Sequence, residues 1–359
     1  MIKRIFLWLF LLSVWVSCRQ PERVARLSTD EKYAVDFSIR KAGKVRLVTV
    51  KRPFPGGKPA KYVLVPRNSR PLLPDSLKGY PVIRIPVKRI VPTSVSHLIY
   101  FLALNTQNDI VGFPRTDYIR LPWYRRAVEE GKIKDLGSEL RLNPESVISV
   151  KPDVVFVFST GDDQKNFDVL RRAGIPVVFV SEWMERHPLG RAEWIKFFGA
   201  FVDQGSLAER IFHRIEGHYK EIAAKTGRQS RRPKVIQASV FRDKWFFAGG
   251  KSWAATIITD AGGKFVPEND KHTGSIPLSA EQALMLLKKA DFWINSGGPL
   301  PEKYRSPRFF RGTIIPLTEL PFNRADTVSF FEYSPLYPDV ILERLHRIFS
   351  KNRMQESSQ

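Results

Sequence analysis

Two distant stretches of this chain share one plan. Glu145–Phe158 reads as a short helix that ends in Lys151-Pro152-Asp153 and runs into the apolar strand Val154–Phe158. Ser279–Ile294 repeats it, with helix Glu281–Lys289, then Ala290-Asp291, then strand Phe292–Ile294. Another strand follows each unit, Ile175–Val180 in the first half and Thr313–Pro316 in the second. Strands alternating with helices build parallel sheets. Two such sets in separate halves predict two lobes. Between them, Ala208, Ile211, Phe212, Ile215, Tyr219 and Ile222 recur at helical spacing within Ser206–Lys225. The expected fold class is α/β: two Rossmann-like lobes with parallel sheets, joined by a long linker α-helix, with a ligand cleft between the lobes.

Composition bounds the function. The 359 residues are enough for two lobes with real cores, and 43% of them are apolar. The 58 basic and 36 acidic side chains give a net charge of +22. The basic residues are scattered along the chain and form no basic helix or finger, so the excess reads as a solvated surface and not as a nucleic-acid site. A second reading is attraction of anionic ligands or contact with anionic lipid headgroups.

The N-terminus points to export. Lys3 and Arg4 precede the apolar run Ile5–Val16, followed by Ser17-Cys18. The run is too short to span a bilayer and has a secretory signal pattern. Cys18 is the only cysteine and resembles the lipid-modified cysteine of bacterial lipoproteins, although Trp15 stands where a Leu or similar is usual. The alternatives are a plain signal peptide cut nearby or an uncleaved anchor. With no second cysteine, an internal disulfide is impossible, and stability must come from packing.

The expected organisation is a signal peptide at 1–17, a tether plus β-rich extension at 18–87, a first lobe at 88–200, the linker helix at 201–228, a second lobe at 229–350 and a disordered polar tail at 351–359. Within the extension, Val45–Val50 and Tyr62–Val65 read as antiparallel strands around the Pro-Gly-Gly turn of Pro53–Lys58. Pro86 splits Val82–Val91. Asn143 should cap a helix at Pro144–Val150, and Ser206 with Glu209 has the spacing of a capping box. Further helices are expected at His97–Leu104, Tyr124–Glu130, Asp168–Ala173, Arg191–Ala200, Trp253–Asp260 and Pro335–Ser350, with strands at Ile110–Gly112, Val235–Val240 and Trp245–Phe247.

In order along the chain stand Ile90-Val91-Pro92, Leu102-Ala103-Leu104, Asp109-Ile110-Val111-Gly112, Asp135-Leu136-Gly137, Asn143-Pro144-Glu145, Lys151-Pro152-Asp153-Val154-Val155 and Ala173-Gly174-Ile175-Pro176-Val177-Val178. The second half adds Asp260-Ala261-Gly262-Gly263, Leu278-Ser279-Ala280-Glu281 and Lys289-Ala290-Asp291-Phe292-Trp293-Ile294. This succession, from about Lys88 to Phe349, resembles the periplasmic solute-binding proteins of the ferric-siderophore and cobalamin type. Tyr33–Arg67 resembles the elaborated form found in lipoprotein members from the Bacteroidetes group.

The resemblance implies capture of an iron chelate, haem or corrinoid and delivery to an ABC permease dimer in the inner membrane, with an exported enzyme or a surface scaffold that reuses the fold as the alternative. It implies a periplasmic, lipid-anchored monomer with no cofactor of its own, any Fe or Co arriving with the ligand. Ligand contacts in the family come from loops at the cleft edge. Here these are Thr93, Ser94 and His97 after the first strand, Phe113 and Tyr118 near Gly112, the segment Ser159–Asp162, and Trp183. From the second lobe come Trp245, Trp253, Ser296 and Tyr333. Aromatic groups suit a large planar or catechol-rich ligand, but a place in the core is an even alternative for Trp245 and Trp253. Arg115, Arg242 and Lys244 could neutralise an anionic chelate. The family docks on its permease through one acidic residue per lobe, which implies Asp163 and Glu332, with ordinary surface carboxylates or a helix cap for Asp163 as the alternative.

No catalytic constellation stands beside these residues. There is no G-x-S-x-G and no phosphate loop, and Cys18 belongs to the export segment. His213 and His218 are five apart and point in different directions on a helix, and no acidic residue completes a set, so no direct metal site is expected. His97 or His187 could cap a ligand's metal.

Overall fold

The computed structural model describes residues 31–137, 142–226, 232–241, 243–297, 300–317 and 330–356. The signal segment, Cys18, Arg242 and residues 357–359 lie outside the described residues.

The extension is a four-stranded sheet, β1 (Phe37–Ala42), β2 (Val45–Val50), β3 (Ala60–Pro66) and β4 (Val82–Ile85), in that spatial order. Ala42 lies opposite Val45, and the two-residue turn is made possible by Gly43 at φ 58°. β2 and β3 are antiparallel, whereas β3 and β4 are parallel. One face sends Phe37, Val48, Val50, Tyr62 and Leu64 into the main core. The other holds a small cluster of Val45, Val63, Val65 and Leu77.

The first lobe contains β5 (Ile90–Pro92), α1 (Val95–Ala103), β6 (Gly112–Phe113), α2 (Pro122–Glu129), β7 (Lys134–Asp135), α3 (Pro144–Ser149), β8 (Val154–Val157), α4 (Gln164–Arg172), β9 (Val177–Phe179) and α5 (Pro188–Phe201). β8 pairs in parallel with β5 on one side and β9 on the other. β6 and β7 pair beside them, linked to β5 by an Ile90–Ile110 bridge. All of Val154–Val157 is buried, as a parallel strand covered on both faces requires.

α6 (Gly205–Thr226) follows as the long helix between the lobes. It starts at Gly205, one residue before the anticipated cap, so Ser206 lies inside the helix and the capping-box reading is corrected. The second lobe contains β10 (Lys234–Phe241), β11 (Lys244–Ala248), α7 (Trp253–Asp260), β12 (Lys264–Phe265), β13 (Ser275–Leu278), α8 (Ala280–Leu287), β14 (Phe292–Asn295), α9 (Glu302–Arg305), β15 (Thr313–Pro316), α10 (Phe330–Tyr333) and α11 (Pro338–Glu356). β12 and β14 pair in parallel with β10, and β15 pairs in parallel with β14. β11 and β13 extend the sheet antiparallel, because only two residues separate β10 from β11 and so short a link can make only a hairpin. The disordered-tail reading is corrected as far as Glu356, since Lys, Arg, Met, Gln and Glu are good helix formers that carry α11 past Ser350.

The repeated unit read from the sequence is real in space. Asp153 donates its backbone N–H to Arg89 O at 2.7 Å, and its Oδ2 accepts from Lys88 N at 2.7 Å and Arg89 N at 3.1 Å. Asp291 does the same in the second lobe, donating to Lys234 O at 2.8 Å and accepting from Lys234 N at 2.7 Å. In each lobe the aspartate before one strand fixes where its neighbour starts. The main apolar core runs without a break from Ala34 and Phe37 through both lobes to Leu345 and Phe349. α5 is buried on every side, which needs a helix that is either apolar all round or paired wherever it is charged.

Candidate functional site

The first lobe's contribution is a set of loops leaving the C-terminal ends of β5, β8 and β9. Side chains tie them together. Thr93 Oγ1 accepts from Phe158 N at 2.9 Å, joining the first loop to the second. Ser94 caps α1, with its Oγ 2.8 Å from that of Ser96. Ser96 Oγ donates to Glu182 Oε1 at 2.7 Å, joining the first loop to the third. Thr93, Ser94 and Trp183 are thus brought to one place. On this frame the Phe158 and Trp183 rings pack at 5.3 Å.

Below them lies a buried polar cluster. Arg191, in the first turn of α5, approaches Glu182 Oε1 at 3.9 Å, and His97 Nε2 is 4.0 Å from Glu182 Oε2. Both His97 ring nitrogens, Ser181 Oγ, Glu182 Oε2, Trp183 Nε1 and Arg191 Nε find no partner among the described residues. Burial raises the Glu182 carboxyl against the opposing pull of Arg191 and Ser96. Burial also holds the His97 imidazole down at about 3, so it is neutral at every ordinary pH.

The second lobe reaches the first at several points, among them Thr256 Oγ1 donating to Arg186 O at 3.4 Å. The Arg191 guanidinium lies 5.1 Å from the centre of the Trp253 ring, which stacks on Phe330 at 6.3 Å. Glu332 Oε1 accepts from Arg120 N at 2.7 Å and Leu121 N at 3.2 Å. These amides stand at the start of α2, where Leu121 offers no side-chain cap, so the carboxylate supplies one from across the molecule. Tyr118 lies just before them, under the Arg115 guanidinium at 4.1 Å, with Arg115 also bonded to Asp117 at 2.9 and 3.0 Å.

Several anticipated ligand contacts are corrected. His97 is fully buried against Phe198, because the apolar face of α1 turns it inward. Phe113 is buried among the core residues. Trp245 is 1% exposed and packs against Trp293, Tyr304 and Phe309, because the alternation of β11 turns it to the covered face of the sheet. Glu332 is 0% exposed and engaged as a cap, so it presents no carboxylate to a permease. Asp163 is half-buried at the start of α4, with its backbone carbonyl accepting from Asn166 N and Phe167 N. Lys244 is exposed on β11, and Tyr333 is half-buried with its ring 5.9 Å from that of Tyr337.

The residues not anticipated are Phe158, Glu182, Arg191 and Phe331. Phe158 reads as a strand end and Arg191 as the start of an amphipathic helix. The only signal for Glu182 is its place just after a buried strand. Phe331 adjoins the anticipated Glu332 and is 50% exposed, beside Tyr118 at 43% and Phe158 at 39%. Large exposed aromatic groups suit a surface that meets something. Among the described residues no group of three or more His, Cys, Asp or Glu could hold a metal ion, and no helix is long and apolar enough to cross a membrane.

Two α/β lobes joined by a long helix define a class of ligand-binding proteins. The chain matches the periplasmic binding protein family model over residues 90–312, and it belongs to that family. It is 28% identical over 242 residues to an uncharacterised lipoprotein of Methanocaldococcus jannaschii, covering 64% of this chain and 56% of that one. A second uncharacterised lipoprotein of that organism is 29% identical over 213 residues, covering 57% of this chain and 54% of that one. The chain thus spans little more than half the length of these relatives. Among solved structures, the periplasmic heme-binding protein HutB of Vibrio cholerae superposes with a TM-score of 0.56 at 19% identity, over 73% of this chain and 97% of that one. A possible iron-binding periplasmic solute-binding protein of Staphylococcus epidermidis gives 0.55 at 18%, over 74% and 98%. IsdE of S. aureus, complexed with heme, gives 0.54 at 21%, over 73% and 98%. At these identities the likeness is one of fold.

Proposed function

We propose that the protein is the solute-binding component of an ABC importer that takes up haem, a ferric siderophore or a corrinoid. It is held at the membrane by a lipid on Cys18 and binds its ligand without transforming it. The observation that carries this reading is a set of aromatic groups: Phe158 on Trp183 in the loops of the first lobe, Trp253 on Phe330 in α7 and α10 of the second, with Tyr118 and Phe331 exposed. Rings bury much apolar area at small entropic cost and suit a broad, flat ligand. Arg191, beside Trp253, adds a cation that would meet an acidic substituent on such a ligand. The haem-binding and iron-binding neighbours of the same fold point to the same ligand class. Asp163 remains the docking carboxylate of the first lobe in this reading, since Glu332 is occupied.

Native mass spectrometry of the chain from residue 19 onward, challenged with hemin, a panel of ferric siderophores and cobalamin, tests this. A one-to-one adduct with one class is expected, weakened at least ten-fold by Trp253→Ala. The absence of any adduct would overturn the ligand assignment.

A further inference from the structure

The extension before residue 90 lies outside the family match, yet its contacts converge on two cleft loops. Five consecutive backbone amides are held by two buried carboxylates. Glu193 accepts from Lys32 N, Tyr33 N and Ala34 N at 2.8–3.0 Å, and Glu185 accepts from Val35 N and Asp36 N at 3.0–3.1 Å. Glu185 belongs to the 181–187 loop that carries Trp183, and at the end of that loop the His187 ring lies 5.1 Å from that of Tyr33. From the other side, Tyr62 OH accepts from Phe179 N at 3.0 Å where β9 ends and this loop begins. Phe54, in the β2–β3 connection, packs on Phe179 at 5.6 Å. It also lies so near Gly161 that a Cβ there would meet the ring at 3.3 Å. Gly161 stands at φ 113°, which favours glycine, in the loop that follows Phe158.

We propose that residues 32–66 are a buttress that sets the position of Phe158 and Trp183, and with it the affinity of the cleft. Glu185, Phe54 and Tyr62 act as positioning residues: none belongs to the aromatic set, and each holds a loop that carries one of its rings or the strand end that leads into such a loop. A rigid loop loses less freedom on binding, so loosening the buttress costs affinity without removing a contact. The affinity part of this inference rests on the proposed solute-binding role, whereas the loop-ordering part stands without it.

The test uses the full chain with Phe54→Ala, Phe54→Leu and Glu185→Gln, read by amide hydrogen exchange. Exchange at 158–162 and 181–187 should quicken at least ten-fold in Phe54→Ala and less in Phe54→Leu. At 181–187 it should quicken in Glu185→Gln, with β14 and β15 unchanged in all three. Where hemin or another panel ligand binds, its affinity should fall about five- to ten-fold in Phe54→Ala and Glu185→Gln. Unchanged loop exchange would overturn the proposal. So would a uniform rise across the chain, since that is what a merely structural role gives. If no ligand binds the unaltered chain, the solute-binding reading fails while the exchange data still judge the buttress.

Discussion

The two lobes share a plan but not a manner of holding their loops. In the first, Thr93, Ser96 and Glu182 stitch three loops into one frame, and the extension supports that frame from behind. In the second, the residues that reach the cleft lean on the first lobe instead, Trp253 beneath Arg191 and Glu332 on the amides of Arg120 and Leu121. One lobe is a fixed wall. The other is positioned against it through a shared apolar core, a cation on a ring and a carboxylate on a helix start. The lesson is that duplication of a strand–helix plan fixes the sheets, whereas the loops answer to long-range partners.

The sharpest break is at Trp245. If it belongs to the second lobe's core, Trp245→Ala lowers stability by about 3–5 kcal/mol and leaves the affinity of the remaining folded protein unchanged. A loss of affinity with intact stability, seen by denaturant unfolding beside a binding titration, would return it to the cleft. Next come the paired aspartates. Asp153 accepts from two backbone amides and from Arg67, Asp291 from one amide. At about 0.5–1.5 kcal/mol per bond, Asp153→Ala should cost more than Asp291→Ala, and an equal shift in urea midpoint would count against the comparison. Glu332→Ala should cost about 1–3 kcal/mol by leaving two amides unpaired, with faster amide exchange at the start of α2 as its signature.

The smallest effect is one of pH. Burial works against the Glu216 carboxylate, but bonds from Lys220, Lys32 and Tyr33 outweigh it and hold the group down at about 2. Its folded value lies below the ordinary 4.5, so its contribution is complete above about pH 4.5 and is lost as pH falls toward 2. The melting-temperature gap between the protein and Glu216→Gln should therefore shrink between pH 5 and pH 2.5.

Where local chemistry punctuates the chain, the elements could be read to the residue. β2, α7 and β15 begin and end where they were expected, and Asn143 caps α3 by accepting from Glu145 N and Ser146 N. The repeat also announced both sheets. What could not be read were pairings far apart in sequence. α5 carries Arg191, Glu193 and Lys196 and looks half-exposed, yet Glu182, the amides of residues 32–34 and Glu209 absorb those charges. Period-two alternation says that Trp245 faces away from its neighbours in β11, but not which face of the sheet is covered. Glu332 finds its amides 211 and 212 positions away, and nothing near it hints at that.

The unbroken core has a consequence in time. α11 packs on α6 and brings Leu345 and Phe349 into the same apolar body as Phe37 and Trp194. A ribosome delivers Phe37 and Trp194 well before Leu345 and Phe349. The sheets can form as they emerge, but the body they share stays open on one side until the final helix arrives.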